Sequence, residues 1–320
     1  MKSNYQQAHD TSFAQSIKNW AGHLTDAQID SLAALINPRR VKAKRLPCPE
    51  DLHFGCTFPY TVSSLPILQK IHSMKFPRVL DVACGFGSFT YLAAIAGANA
   101  IGVDINTAAI AEAKNDIKKF SPFISGKTDF FEADTLAFDR EIFKTKYDMI
   151  HCRKFMHFLP PNMQIQLLQN LYSMLEEGGI LYVSANSIHS GDPNRRVLAE
   201  KRYDAGDKHP GYIGFSRLDD SVECKAIPKS ANYEPGVLYN GTIENPIRAD
   251  STSHEPLIYM TNMLDHRTFK NSLSAAGIPQ ENTELFYESW NIYEPAILPA
   301  ENAMICPNTP YNLLIEIVKN

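Results

Sequence analysis

The residues best suited to chemistry fall in one run, Val79-Leu80-Asp81-Val82-Ala83-Cys84-Gly85-Phe86-Gly87-Ser88-Phe89-Thr90, in which an apolar strand carrying a carboxylate passes through two glycines into a helix. Glycine has no Cβ, so such a loop lets a ligand approach the backbone closely. A G-x-G pair serves several kinds of nucleotide site, and the charges around it must decide between them. A dinucleotide site wants a third glycine where Thr90 stands, and no carboxylate beside a doubly anionic pyrophosphate at the helix N-terminus. Asp81 suits a cationic ligand instead. Asp104 ends the next strand, where its two oxygens can accept from both hydroxyls of a ribose, and Ile105 can pack on an adenine face. Asp134 ends the third strand, placed to accept from an adenine amino group, with Thr135 beside it. Each aspartate taken alone is more simply a turn former or a helix cap. Three at the carboxyl ends of consecutive parallel strands mark the edge where open α/β sheets bind ligands.

The elements that must position these residues alternate strand and helix from Arg78 onward, the pattern of a parallel sheet with crossover helices. Strands are expected at 79–82, 100–104, 129–134, 147–152 and 180–184, and helices at 89–96, 107–120 and 163–175, the last stopped by Gly178-Gly179. Upstream, the apolar spacing of residues 12–36 predicts two short amphipathic helices, with Thr25 capping the second. Residues 187–262 break the rhythm and hold one hairpin signal, Val237 to Ile243 around Asn240-Gly241. A helix before Gly277 and strands at 284–287 and 312–318 then complete the sheet. The division expected is a helical extension or cover at 1–76, a cofactor-binding core at 77–186, an inserted lid at 187–262 and a completing segment at 263–320.

Val79 to Gly87 resembles the first motif of the class I S-adenosylmethionine-dependent methyltransferases, often written D-x-G-x-G-x-G, and Asp104, Asp134 and the stretch from Tyr147 to Val183 resemble the motifs that follow it. Ala83 stands where the family usually has its first glycine. The resemblance implies an α/β doubly wound, mostly parallel seven-stranded sheet (a Rossmann-like methyltransferase fold), with an insertion between strands 5 and 6. It implies S-adenosylmethionine as cofactor, with S-adenosylhomocysteine as product. The residues implied to bind it are Asp81, Ala83, Cys84, Gly85, Gly87, Asp104, Ile105, Asp134, Thr135 and the backbone near Cys152.

Methyl transfer from a sulfonium is an in-line displacement with an activated leaving group, so orienting the acceptor and excluding water supply most of the rate, and a general base is optional. His157, after the fourth strand, is the candidate base; a histidine packed in the loop or bonded to backbone is an equally good reading. His189, Arg195, Tyr212 and His254 in and around the insertion are candidates for acceptor contacts. Cys152-Arg153-Lys154-Phe155 stands where enzymes that methylate exocyclic amines of bases have Asn/Asp-Pro-Pro-Tyr, which disfavours nucleic-acid amino methylation. The expected acceptor is a small molecule. A protein acceptor docked on the insertion, or a non-catalytic module of the same fold, are the alternatives.

Composition agrees with an ordinary globular protein, since 44% of the 320 residues are hydrophobic and 21% charged. A net charge of -4 supplies no global field for nucleic acid or anionic membrane. The six cysteines include no C-x-x-C pair, so their spacing specifies neither a metal site nor a disulfide framework. The N-terminus lacks the apolar run of a signal peptide, and a cytoplasmic location is expected.

Overall fold

The computed structural model describes residues 13–36, 64–138, 140–189, 193–218, 221–227, 234, 237–242, 245–248, 257–289, 297–300 and 311–320. These divide into two compact units. The first holds the described residues up to His151 together with Met174–Gly179, and the second holds Cys152–Ser173 and those from Ile180 onward.

The first unit opens with a helical stretch at 13–18 (α1) and with α2, Asp26–Ile36. Thr25 and Gln28 close a reciprocal cap on α2: Thr25 Oγ1 accepts the Gln28 amide at 3.3 Å, and Gln28 Oε1 accepts the Thr25 amide at 3.0 Å. After α3, Ser64–Ser73, come β1 (Arg78–Val82), α4 (Ser88–Ile95), β2 (Asn99–Asp104), α5 (Thr107–Phe120) and β3 (Lys127–Glu132). β1 pairs in parallel with β2, and β2 with β3. Parallel neighbours need a crossover, which α4 and α5 provide. α5 is one-sided, burying Ala109, Ile110 and Ala113, and its Asn106 cap accepts the Ala109 amide at 3.1 Å. α4 is apolar nearly all round, with every residue from Phe89 to Ile95 buried.

β4, Tyr147–Arg153, and β5, Leu175–Asn186, run through both units. In the second unit α6 (Pro161–Ser173) lies between those strands in sequence, and α7 (Pro193–Asp204) follows them. The inserted segment then folds into an antiparallel sheet of its own, made of β6 (Tyr212–Leu218), β7 (Ser221–Ala226), β8 (Leu238–Gly241), β9 (Pro246–Arg248) and β10 (Leu257–Asn262) in the order β7-β6-β10-β8-β9. The chain closes with α8 (His266–Ala275), β11 (Thr283–Ser289), β12 (Ile297–Pro299) and β13 (Tyr311–Val318). β13 pairs antiparallel with β5 and with β11, and β11 antiparallel with β12. The strand order of the main sheet is β12-β11-β13-β5-β4-β1-β2-β3, the seven strands expected plus a three-residue edge strand.

Two details depart from the sequence reading. The helix expected at 163–175 ends at Ser173, and Gly178-Gly179 lies inside β5, where Gly178 takes φ +75°. The hairpin turn is not Asn240-Gly241: both residues belong to β8, Gly241 pairs with Pro246, and the chain reverses through Thr242 and Asn245, whose amide is accepted by Thr242 Oγ1 at 3.1 Å.

Packing between β2 and β3 leaves no room at Gly102, where a methyl group would sit 2.7 Å from both Phe130 Cδ1 and Thr90 Oγ1. Gly102→Ala should therefore lower stability by about 1–3 kcal/mol, measured by urea denaturation. Unchanged stability would show that Phe130 and Thr90 yield without cost.

Candidate active site

The loop after β1 is bound into the first unit by a carboxylate that is only 2% exposed. Asp81 Oδ2 accepts the Thr90 hydroxyl at 2.7 Å, and Oδ1 lies 2.8 Å from His151 Nδ1, which donates to it. The His151 ring stacks on Phe89, centroids 3.6 Å apart. Asp81 thus joins β1, the first turn of α4 and β4. A carboxylate removed from water this completely is tolerated only when its lone pairs are met, and here both oxygens are engaged. Sequence reasoning turns Asp81 toward a cationic ligand; in the structure both of its oxygens bond the scaffold. His151 escapes that reasoning, although a histidine in the otherwise apolar run Met149-Ile150-His151-Cys152 requires a partner once buried.

Backbone conformation follows from that anchor. Ala83, Gly85 and Gly87 take φ +54°, +53° and +72°. For Ala83 this is a left-handed conformation that an L side chain adopts at a cost of about 1–2 kcal/mol. Gly87 has a second reason to be glycine, since a Cβ there would come 2.3 Å from the Phe130 ring. Cys84 sits in the core with Tyr91, Ile110, Ala113 and Phe130, and burial, followed by the nearby Asp81 and Asp104 charges, pushes its thiol up. Its side chain serves packing, while its amide bonds the Val103 carbonyl at 2.9 Å.

Asp104 closes β2. Its Oδ2 accepts the Gly85 amide and its Oδ1 the Asn106 amide, each at 2.8 Å. Burial raises its pKa, an effect those amides oppose. A carboxylate has about four acceptor positions, so each oxygen retains capacity for a ligand donor. Ile105 beside it is 61% exposed, an apolar side chain held in the open next to a polar one. Asp134 lies two residues beyond β3 and is exposed; its Oδ1 accepts the Leu136 amide at 2.8 Å, the turn-forming bond expected of an aspartate, and Thr135 is buried. A carboxylate with spare acceptor positions, an open apolar side chain and an exposed carboxylate thus lie at and just beyond the ends of β2 and β3.

In the second unit Cys152 is fully buried in β4. His157 lies in the short helical turn Met156–Phe158 after that strand, also buried. Its Nδ1 accepts the Asn186 amide at 3.4 Å, and burial, with the Lys154 charge, pushes its pKa down to about 3. The turn is tied to β10, because Thr261 Oγ1 donates to the His157 carbonyl at 3.0 Å and Asn262 Nδ2 to that of Leu159 at 3.3 Å. An aromatic run continues from His157 to Phe158, Tyr259 and Phe215, ending under the Arg195 guanidinium 4.5 Å from the Phe215 ring. His189 packs edge-on against Tyr287 at 5.3 Å, and burial brings its pKa to about 4. Tyr212 packs on the core of the inserted sheet, against the cluster that includes Ile258 and Met260. His254 lies outside the described residues.

A family profile described as a methyltransferase domain matches residues 79–179. The chain is 28% identical over 118 residues to a ubiquinone biosynthesis O-methyltransferase of Actinobacillus pleuropneumoniae serotype 7, covering 37% of this chain and 49% of the relative. It is 28% identical over 184 residues to a carboxy-S-adenosyl-L-methionine synthase of a Psychrobacter species, covering 52% of this chain and 63% of that protein. The chain thus spans about half to under two thirds of the length of these curated relatives. Among solved structures, an S-adenosylmethionine-dependent methyltransferase from Clostridium acetobutylicum ATCC 824 gives a TM-score of 0.45 at 15% identity, covering 80% of this chain and 91% of that one. Among the described residues no helix is long and apolar enough to cross a membrane. The span that the methyltransferase-domain profile matches, residues 79–179, holds the Asp81 to Gly87 loop and Asp104 in the arrangement described.

Proposed function

We propose that the chain transfers a methyl group from S-adenosylmethionine to a small-molecule acceptor. The observation that carries the reading is the Ala83 to Gly87 loop, whose Gly85 amide is locked on Asp104 while the carboxylate keeps acceptor capacity for two hydroxyl donors. In this reading Asp104 holds the ribose, Ile105 covers the adenine, Asp134 accepts from its amino group, and Asp81, Thr90 and His151 keep the loop in place. When bound, S-adenosylmethionine supplies a methyl group on a positively charged sulfur, a leaving group that needs no acid. A small acceptor agrees with the name of the ubiquinone biosynthesis relative.

His157 is assigned no role as general base. A ring nitrogen that accepts the Asn186 amide carries no proton, so the proton of the neutral imidazole sits on Nε2, and the lone pair at Nδ1 is in use. The transfer then rests on orientation and exclusion of water. His157 holds the turn after β4 against the end of β5.

Titration calorimetry with S-adenosylmethionine and S-adenosylhomocysteine, with NAD as control, tests the cofactor. Micromolar binding of the first two and none of NAD is expected. Asp104→Ala should weaken both at least tenfold while circular dichroism stays unchanged; equal affinity in wild type and variant would remove Asp104 from the site.

The buried histidine generates a pH dependence. Unfolded, His157 takes a proton below about pH 6.5; folded, it does so only near 3. Its contribution to stability is therefore complete above the unfolded pKa and is lost as pH falls from there toward the folded one. His189 and His209, also lowered by burial, act in the same sense, and the raised Asp104 acts against them. The melting temperature should fall between pH 7 and pH 5. In His157→Asn, whose Oδ1 can still accept the Asn186 amide, the fall should be shallower; an identical slope would contradict the neutral buried imidazole.

A further inference from the structure

Three polar side chains stand in a row across the second unit. Asn186, the last residue of β5, is paired with Asn312 of β13, and Asn312 with Glu288 of β11. Residues directly opposite on antiparallel strands share a face at a spacing of about 5 Å, so Glu288, Asn312 and Asn186 line one side of the sheet in that order. On the opposite face of β13, Leu313, Ile315 and Ile317 are fully buried. Glu288 and Asn312 are themselves only 2% exposed.

The row is unevenly satisfied. Glu288 has a counter-charge in Arg153, at the end of β4, with Nη2 3.4 Å from Oε2. The amide oxygens of Asn186 and Asn312 are buried and accept no hydrogen bond. An unmet buried acceptor destabilises the fold that holds it, more than an apolar side chain of the same shape would. Two such oxygens, adjacent and beside a carboxylate, offer lone pairs to something that brings donors. The cation at the end of the row is already engaged by Glu288, so a carboxylate or phosphate would meet acceptors rather than positive charge.

We propose that Asn186, Asn312 and Glu288 form a subsite for a hydroxyl- or amine-bearing group of the methyl acceptor. That the occupant is a methyl acceptor rests on the methyltransferase reading, whereas the donor-binding chemistry does not. Asn186 is also tied to the turn after β4, since its amide is the one held by His157 Nδ1.

The test uses the full chain and Asn312→Leu, which keeps the volume and removes the amide. Two readouts are made without cofactor. The melting temperature of Asn312→Leu should rise by about 2 °C or more. Saturation-transfer NMR with benzyl alcohol and benzoate, probes that share a ring and differ in donor against carboxylate, should show transfer to benzyl alcohol from the wild type. That signal should be at least fivefold smaller in Asn312→Leu, with little transfer to benzoate from either protein. A lower melting temperature, which would mark the amide as structural, overturns the proposal. So does absence of benzyl alcohol binding to the wild type, equal binding of benzoate, or a signal the substitution leaves unchanged. Calorimetry with S-adenosylhomocysteine on both proteins reports separately on the cofactor: no binding to either would sink the methyltransferase reading, while the melting and NMR results would still decide whether the row binds donors.

Discussion

Asp81 places a carboxylate inside a parallel sheet, and three residues of the first unit are arranged to meet it. Thr90 and His151 supply the hydrogen bonds, from the helix after β1 and from β4, and Phe89 covers the imidazole face. Leaving a buried acceptor of this kind unmet by removing one partner costs about 1–3 kcal/mol, enough to make the three elements interdependent. The loop between Asp81 and Thr90 has little freedom left, which is why it accommodates a left-handed Ala83 where glycine would be relaxed. The division of labour among the aspartates follows: the one in the strand interior builds the loop, and those at and beyond the strand ends keep acceptor capacity for a ligand.

Much of this frame is legible in the sequence, for a physical reason. Strands buried on both faces, such as β1 and β4, read as short apolar runs, and crossover helices show their spacing, so these strands and α5 fall within a few residues of where sequence reasoning puts them. Asp104 is readable because a carboxylate at a strand end repeats at Asp134. His151 is not, because its partner Asp81 is seventy positions away and a lone histidine in a strand announces nothing by itself. The second function of Gly87 is hidden too: the glycine looks like a ligand cradle, yet its missing Cβ is required by Phe130, a residue of another strand.

The insertion is the least legible part. Its strands are short and interrupted, and their apolar residues face a small core of Ile227, Val237, Tyr239, Ile258 and Met260 that no single segment reveals. The Asn240-Gly241 pair suggests a turn by propensity, but pairing with β9 draws both residues into the strand and moves the reversal to Thr242 and Asn245. This sheet also holds the turn after β4, through Thr261 and Asn262. A segment that breaks the rhythm of the sequence thus positions His157, the residue that sequence reasoning places nearest the chemistry.

Asp81 holds the loop, and in the proposed reading Asp104 is left to hold the ligand. A crystal structure of the chain with S-adenosylhomocysteine tests that division most directly. Both ribose hydroxyls should lie within hydrogen-bond distance of Asp104, with Asp81 still bonded to Thr90 and His151. A ligand that displaces His151 to bond Asp81 itself, or one whose ribose makes no contact with Asp104, would contradict it.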